Sequence, residues 1–193
     1  MSTNHPISTV KYGGIFKTTL IRNGKVIEEV EHHNSFMNEG LIYALNCAFA
    51  SFLPGAPTPI PDFYIGLGTA NRIPNVLDKA DDTGSAGIHT VSNEFETYTV
   101  AGNGTNRPKW APQALATRPA TITLSDAGFE VSYDITADGT VYGAFIIDAI
   151  LKDGSGDTAS NTIVANTNFP SPRAVETNDV YKVGYILSAE VGV

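Results

Sequence analysis

The chain has 193 residues, 12 of them basic and 20 acidic, for a net charge of -8, so as a whole it repels phosphate backbones and anionic lipid surfaces. That excludes charge-driven nucleic-acid binding. Its one cysteine, Cys47, excludes an internal disulfide framework, and without a basic-then-apolar start or a run of roughly eighteen apolar residues, the expectation is a protein folded in a reducing cytosol with no membrane span.

Charged residues make up 17% of the chain, while glycine and proline number 18 and 11, as in a protein of many short strands and turns. The length suffices for one core. Met1 to Ser8 is polar and broken by Pro6, so we read an arm over residues 1–14 and a single domain over residues 15–193.

The first strong local signal is Asn23-Gly24 between β-branched runs. A type I′ turn needs positive φ at both central positions, so strands are expected over 10–22 and 25–33. His32 and His33 then point to opposite faces and cannot chelate one ion together. They read as two polar residues leaving a strand end. Asn38 offers a side-chain cap and Glu39 suits a helix N-terminus, while Leu41, Leu45, Ala48, Phe49 and Phe52 share one face. A helix is predicted there, ending near Leu53-Pro54-Gly55. Pro54, Pro57, Pro59 and Pro61 hold an extended connection to a strand over Phe63 to Leu67.

Gly68 to Ala86 carries no sustained period and reads as a long surface loop, mobile in the free protein and ordered by a partner. Val91 to Val100 has the composition of a strand. Arg107-Pro108-Lys109-Trp110-Ala111-Pro112 is bracketed by prolines and cannot be a central strand. Five strands follow, over Ala120 to Leu124, Glu130 to Ile135, Val141 to Ile150, Ile163 to Phe169 and Val180 to Val191, with Pro170 to Asn178 as a turn. The fold class is mainly β: a jelly-roll-like antiparallel β-sandwich with one short helix and an N-terminal hairpin and arm.

Chemical motifs are sparse. Asp153-Gly154-Ser155-Gly156-Asp157 places oxygens as a calcium loop does, but Thr158 stands where the sixth-position glycine belongs and Val164 where the bidentate glutamate belongs. It reads as a hairpin turn. No Gly-x-Ser-x-Gly, Walker-type lysine or zinc-ligand spacing occurs, so no enzyme, cofactor or metal site is expected. Cys47 reads as packing. Asp78, Asp81 and Asp82 read as a solvated charge run.

Trp110, between two prolines and beside Arg107 and Lys109, is either an interface anchor or a side chain closing one end of the sandwich. If Trp110, Tyr64, Tyr98, Tyr133, Tyr142, Tyr181 or Tyr185 cluster on the surface, they make a sugar platform or a protein interface; on alternating strands, most such rings are core. The candidate interface residues are His5, Tyr12, Arg72, Asp78, Asp81, Asp82, Arg107 and Trp110.

The order of these elements carries a resemblance. Gly24-Lys25-Val26-Ile27 is followed by Asn34, Asn38-Glu39-Gly40-Leu41, Tyr64-Ile65-Gly66-Leu67, a Pro/Asp loop, and Arg107-Pro108-Lys109-Trp110. Then come Val141-Tyr142-Gly143-Ala144-Phe145-Ile146, Asn168-Phe169, Arg173-Ala174-Val175 and Asn178 through Tyr185. Over residues 12–189 this succession resembles a family of small virion structural proteins of tailed bacteriophages, of the head decoration, cement or fibre type. The loop after Leu67 differs from the usual pattern, as does Asn178-Asp179, where Gly-Asp is more frequent. The resemblance implies a non-catalytic capsid decoration or cement protein, made in the host cytoplasm and resident on the virion. Its partners would be the major capsid protein or other virion proteins, and it would be a homo-oligomer on the particle. A tail, baseplate or fibre component, or a carbohydrate-binding receptor-recognition module, is the alternative.

Overall fold

The computed structural model describes residues 9–47, 62–81, 87–110, 122–124, 130–155, 157–158 and 160–192. They form eleven strands in two antiparallel sheets, with two short helices. The strands are β1 (Thr9–Arg22), β2 (Lys25–His33), β3 (Ser35–Phe36), β4 (Phe63–Gly68), β5 (Tyr98–Thr99), β6 (Lys109–Trp110), β7 (Ile122–Leu124), β8 (Val131–Ile135), β9 (Gly139–Ile147), β10 (Ile163–Val175) and β11 (Val180–Gly192). The helices are α1 (Asn38–Leu45) and α2 (Ile88–Ser92). One sheet has the order β2-β1-β11-β8-β5, with β7 also pairing β11; the other runs β3-β10-β9-β4-β6. The expected β-sandwich is what forms, with a second helix added.

The β1–β2 hairpin turns on Asn23 and Gly24, whose φ values of 52° and 73° are those the dipeptide suits. β1 starts at Thr9 and pairs continuously with β11 from Thr9↔Gly192 to Ile21↔Val180. The arm expected over 1–14 is therefore strand from Thr9 onward. Residues 1–8 lie outside the described residues, as do the expected helix end and the proline-held connection.

The two sheets face each other across a core in which Phe16, Tyr133, Tyr181 and Tyr185 of the first meet Ile65, Val141, Ile146 and Phe169 of the second. The Tyr133 hydroxyl donates across it to the Ile65 carbonyl at 2.9 Å. Trp110 belongs to this core, edge-on to Tyr185 at 5.4 Å. Of the two roles open to it, it takes the packing one.

The outer face of the second sheet is also covered. Phe145 and Ile147 of β9 pack with Met37, Ala80, Ile88, Ala149 and Ile163 in a second core. The cover is built from α1, residues 69–81 and α2. Val91 therefore belongs to a helix and its flank, and the strand expected over Val91 to Val100 is reduced to Tyr98–Thr99. The prolines of β10 correct another expectation. Phe169 to Pro172 stand opposite little but Tyr142, between the pairs Asn168↔Gly143 and Arg173↔Val141. A bulge of that kind hosts residues that cannot donate to the ladder, so the strand runs on to Val175 instead of turning at Pro170.

α1 differs from its sequence-based reading in two ways. Its cap is Met37, in extended conformation and without a side-chain cap bond. The face turned inward is set by Gly40, where a Cβ would lie 2.6 Å from the Val164 Cα. That close approach fixes the helix rotation and leaves Leu45 exposed, against the expectation from periodicity.

His32 and His33 do point to opposite faces. His33 is exposed, but His32 is buried, stacked on Phe169 at 4.1 Å with Nε2 3.2 Å from the Thr18 hydroxyl. Burial and then the nearby Arg173 charge pull its pKa from 6.5 down to about 4. Between those values the unfolded chain binds the proton and the folded one does not. Stability is therefore fully present above pH 6.5, falls as pH drops toward 4, and loses no more below that. His32→Gln should flatten this slope in urea midpoints measured across that window. An unchanged slope would assign the acid sensitivity to other groups.

Burial on both faces also sets a second expectation. Phe145 and Ile146 are both fully buried, so Phe145→Ala and Ile146→Ala should each cost about 2–5 kcal/mol in denaturant unfolding. A small loss at Phe145 alone would mean the outer core is not packed.

Candidate functional site

Residues 69–81 leave β4 and cross the outer face of its sheet, and nearly every turn of the path is tied down. The amide of Thr69 donates to the carbonyls of Ser92 and Asn93 at 3.0 and 2.9 Å, and that of Ala70 to Ser92 at 2.9 Å. Asn168 donates to the Asn71 side chain at 3.2 Å. Arg72 grips Asp78 with Nη2 at 2.6 and 2.5 Å from its two carboxylate oxygens. Asp78 also accepts from the Asn75 amide at 3.1 Å and from Asn166 Nδ2 at 3.2 Å. Within the turn, Asn75 Oδ1 accepts from the Leu77 amide at 2.9 Å. Asn and Asp at such spacing replace backbone partners that an irregular loop lacks.

The far end of the loop meets α1. The Asn38 amide donates to the Val76 carbonyl at 3.1 Å, and Glu39 Oε2 accepts from the amides of Ala80 and Ile163 at 3.1 and 3.0 Å. The loop expected over residues 68–86 is found over residues 69–81, with hydrogen bonds met inside the protein. Side-chain acceptors supply the bonds that a partner was expected to supply.

This fixed backbone holds Ile73, Val76 and Leu77 out to solvent at 89%, 47% and 63% exposure, with Ile42 and Leu45 exposed on the adjoining helix. Single exposed aliphatics are ordinary. Three within five residues, on a backbone hydrogen-bonded at both ends, are the candidate contact groups of this face. The sequence signal for this face is Ile73-Pro74-Asn75-Val76-Leu77, an aliphatic run inside an otherwise polar loop.

The charged residues singled out from sequence fall elsewhere. Arg72 and Asp78 come together, but as the internal clasp of the loop, with Asp78 buried. Asp81 is half-buried. Tyr12 lies on β1 opposite Ala189, and His5 and Asp82 lie outside the described residues. Arg107 and Trp110 are buried and offer no surface to a partner. Burying the large arginine takes a dedicated set of acceptors.

Arg107 Nε and Nη2 donate to the two oxygens of Glu94 at 2.9 and 2.7 Å. Nη1 donates to Asp157 at 3.0 Å and to the Ala149 carbonyl at 2.8 Å. Burial works to lower the guanidinium pKa, and the bonds with Glu94 and Asp157 outweigh it and hold the group charged. His89 Nδ1 lies 3.2 Å from Glu94 Oε2. Asp157 is committed to Arg107, and Asp153 accepts from the amide and hydroxyl of Ser155 at 2.9 and 2.6 Å. The Asp153 segment is therefore a turn whose second aspartate points into the protein. Among the described residues no group of three or more His, Cys, Asp or Glu side chains is placed to hold a metal ion.

Compared with known protein families, characterised proteins and solved structures, the chain matches none.

The clasp can be separated from the surface it presents. Asp78→Ala should speed amide exchange at Leu77 and Ala80 and lower stability by about 1–3 kcal/mol, because Asn166 and Arg72 lose a shared acceptor. Ile73→Ala should change stability by less than about 0.5 kcal/mol. Equal effects from the two would mean that Ile73 is packed, not presented.

Proposed function

We propose that this chain is a non-enzymatic structural protein of a tailed-phage particle, a decoration or cement protein that seats between capsid subunits and stabilises the head. The observation that carries the reading is the locked loop presenting Ile73, Val76 and Leu77. A protein that joins an assembled shell gains from contact groups already fixed in place, since ordering a loop on binding costs roughly 1–2 kcal/mol per residue. The order of motifs over residues 12–189 supports the same reading, as does a sandwich whose conspicuous charges are spent on internal ion pairs.

The partner is the major capsid protein or a neighbouring virion protein, met by many copies repeated on the particle. The protein is made in the host cytoplasm and resides on the virion. The aromatic platform of a receptor-binding tip is not made by Trp110, Tyr98, Tyr133, Tyr181 or Tyr185, all of which are buried. Among the described residues, no helix is long and apolar enough to cross a membrane.

The test is the double substitution Ile73→Asp with Leu77→Asp, both at exposed positions, in particles assembled beside the wild-type protein. The variant should melt as the wild type does and lose at least about tenfold in head occupancy, as expected when a central apolar anchor is charged. Unchanged occupancy on heads, or antibody labelling of separated tails alone, would overturn the cement assignment.

A further inference from the structure

Helix α1 turns a second feature outward. Glu39, Ile42, Tyr43 and Asn46 recur at the spacing of one helical face, and together with Ser160 to Thr162 they line an open groove of about 310 Å³. Among the described residues the lining contains one carboxylate and no lysine, arginine or histidine. An anionic ligand would find no countercharge there. The remaining polar groups are amides and hydroxyls, which both donate and accept.

The carboxylate is fixed. Glu39 Oε2 takes the backbone amides of Ala80 and Ile163 at 3.1 and 3.0 Å, which sets the plane of the carboxyl group and leaves Oε1 outside those two bonds. A positioned carboxylate oxygen is a strong acceptor for hydroxyl donors. Beside it, Tyr43 is braced edge-on against Phe63 at 5.8 Å and half-buried, and Ile42 is 58% exposed. The wall thus offers an amphipathic ring and an aliphatic side chain next to directional polar groups.

We propose that this groove binds a neutral saccharide, with hydroxyls donating to Glu39 Oε1 and to the amide oxygen of Asn46, and the apolar edge of a sugar ring resting on Tyr43 and Ile42. A sugar is the ligand class that combines several hydroxyl donors with an apolar C–H face and no charge. A simple amine would satisfy the carboxylate and leave the amides and the apolar wall unused. The volume suits one or two sugar rings, at the lower end of the range for small-molecule sites. The proposal goes beyond particle binding, since it does not involve Ile73, Val76 or Leu77.

The experiment is a chemical-shift titration of the full chain with maltotriose, cellotriose, chitotriose and mannotriose, and with putrescine as the cationic probe. Each is taken to roughly 50 mM, well above a millimolar Kd. The expected result is saturable shifts centred on Ile42, Tyr43 and Asn46 with at least one trisaccharide. Asn46→Ala, at an exposed position, should weaken that binding roughly fivefold, and Ile42→Arg should abolish it; both variants keep the wild-type melting temperature. Absence of shifts with all four sugars overturns the proposal. So does binding that both variants leave intact, or a response to putrescine alone.

Discussion

The rest of the structure depends on β9 being buried on both faces. Ala144 and Ile146 face the space between the sheets, while Phe145 and Ile147 face away from it. A strand of that kind cannot lie at a solvent face, so its sheet needs a third layer. The chain supplies one from α1, α2 and residues 69–81, the last with little regular hydrogen bonding of its own. That deficit explains the density of side-chain acceptors in the cover: Asp78, Asn75 and Glu39 each accept from backbone amides. Irregular backbone over an apolar face has to find such partners or lose the burial it provides.

Arg107 shows the same requirement with charge. Glu94 follows α2, Asp157 lies before β10 and Arg107 before β6, so the guanidinium joins three connections that the sandwich alone would leave independent. Its planar fork matches Glu94 in two parallel bonds and still reaches Asp157 and the Ala149 carbonyl, a set that lysine could not satisfy. Such a cluster adds little net stability relative to a well-packed apolar substitute, since three charges must be desolvated. Its effect is on register. With each donor committed, the connections have one arrangement in which no buried charge is left alone.

What the sequence showed follows from how local each signal was. Asn23-Gly24 needs only its own φ values, and the hairpin is where the dipeptide put it. The strand expected over Glu130 to Ile135 likewise needs only a core on one side, and Val131 to Ile135 alternate buried and exposed. The errors fall where the decisive partner is distant in sequence. Leu45 is on the apolar face by periodicity, yet the close approach of Gly40 to Val164, 124 residues away, sets the rotation of α1. Residues 69–81 look like a free loop because their acceptors and their buried face belong to β9, β10 and α1. Charge drew attention to Arg107, Arg72 and Asp78, and charge at low accessibility signifies internal pairing, while the aliphatic run Ile73 to Leu77 passed as loop composition.

The two features left facing outward are products of that third layer. The cover fills the outer core with Met37, Ala80 and Ile88, backed by Val91, and leaves Ile73, Val76 and Leu77 facing solvent. Ile73, Val76 and Leu77 stand on a backbone whose ordering was already required to bury Phe145, so a partner that covers them faces little further loss of chain entropy. The net charge of -8 also sets copies of the chain against one another electrostatically. The fold's need to cover one strand therefore also determines which aliphatic side chains stand ordered at its surface.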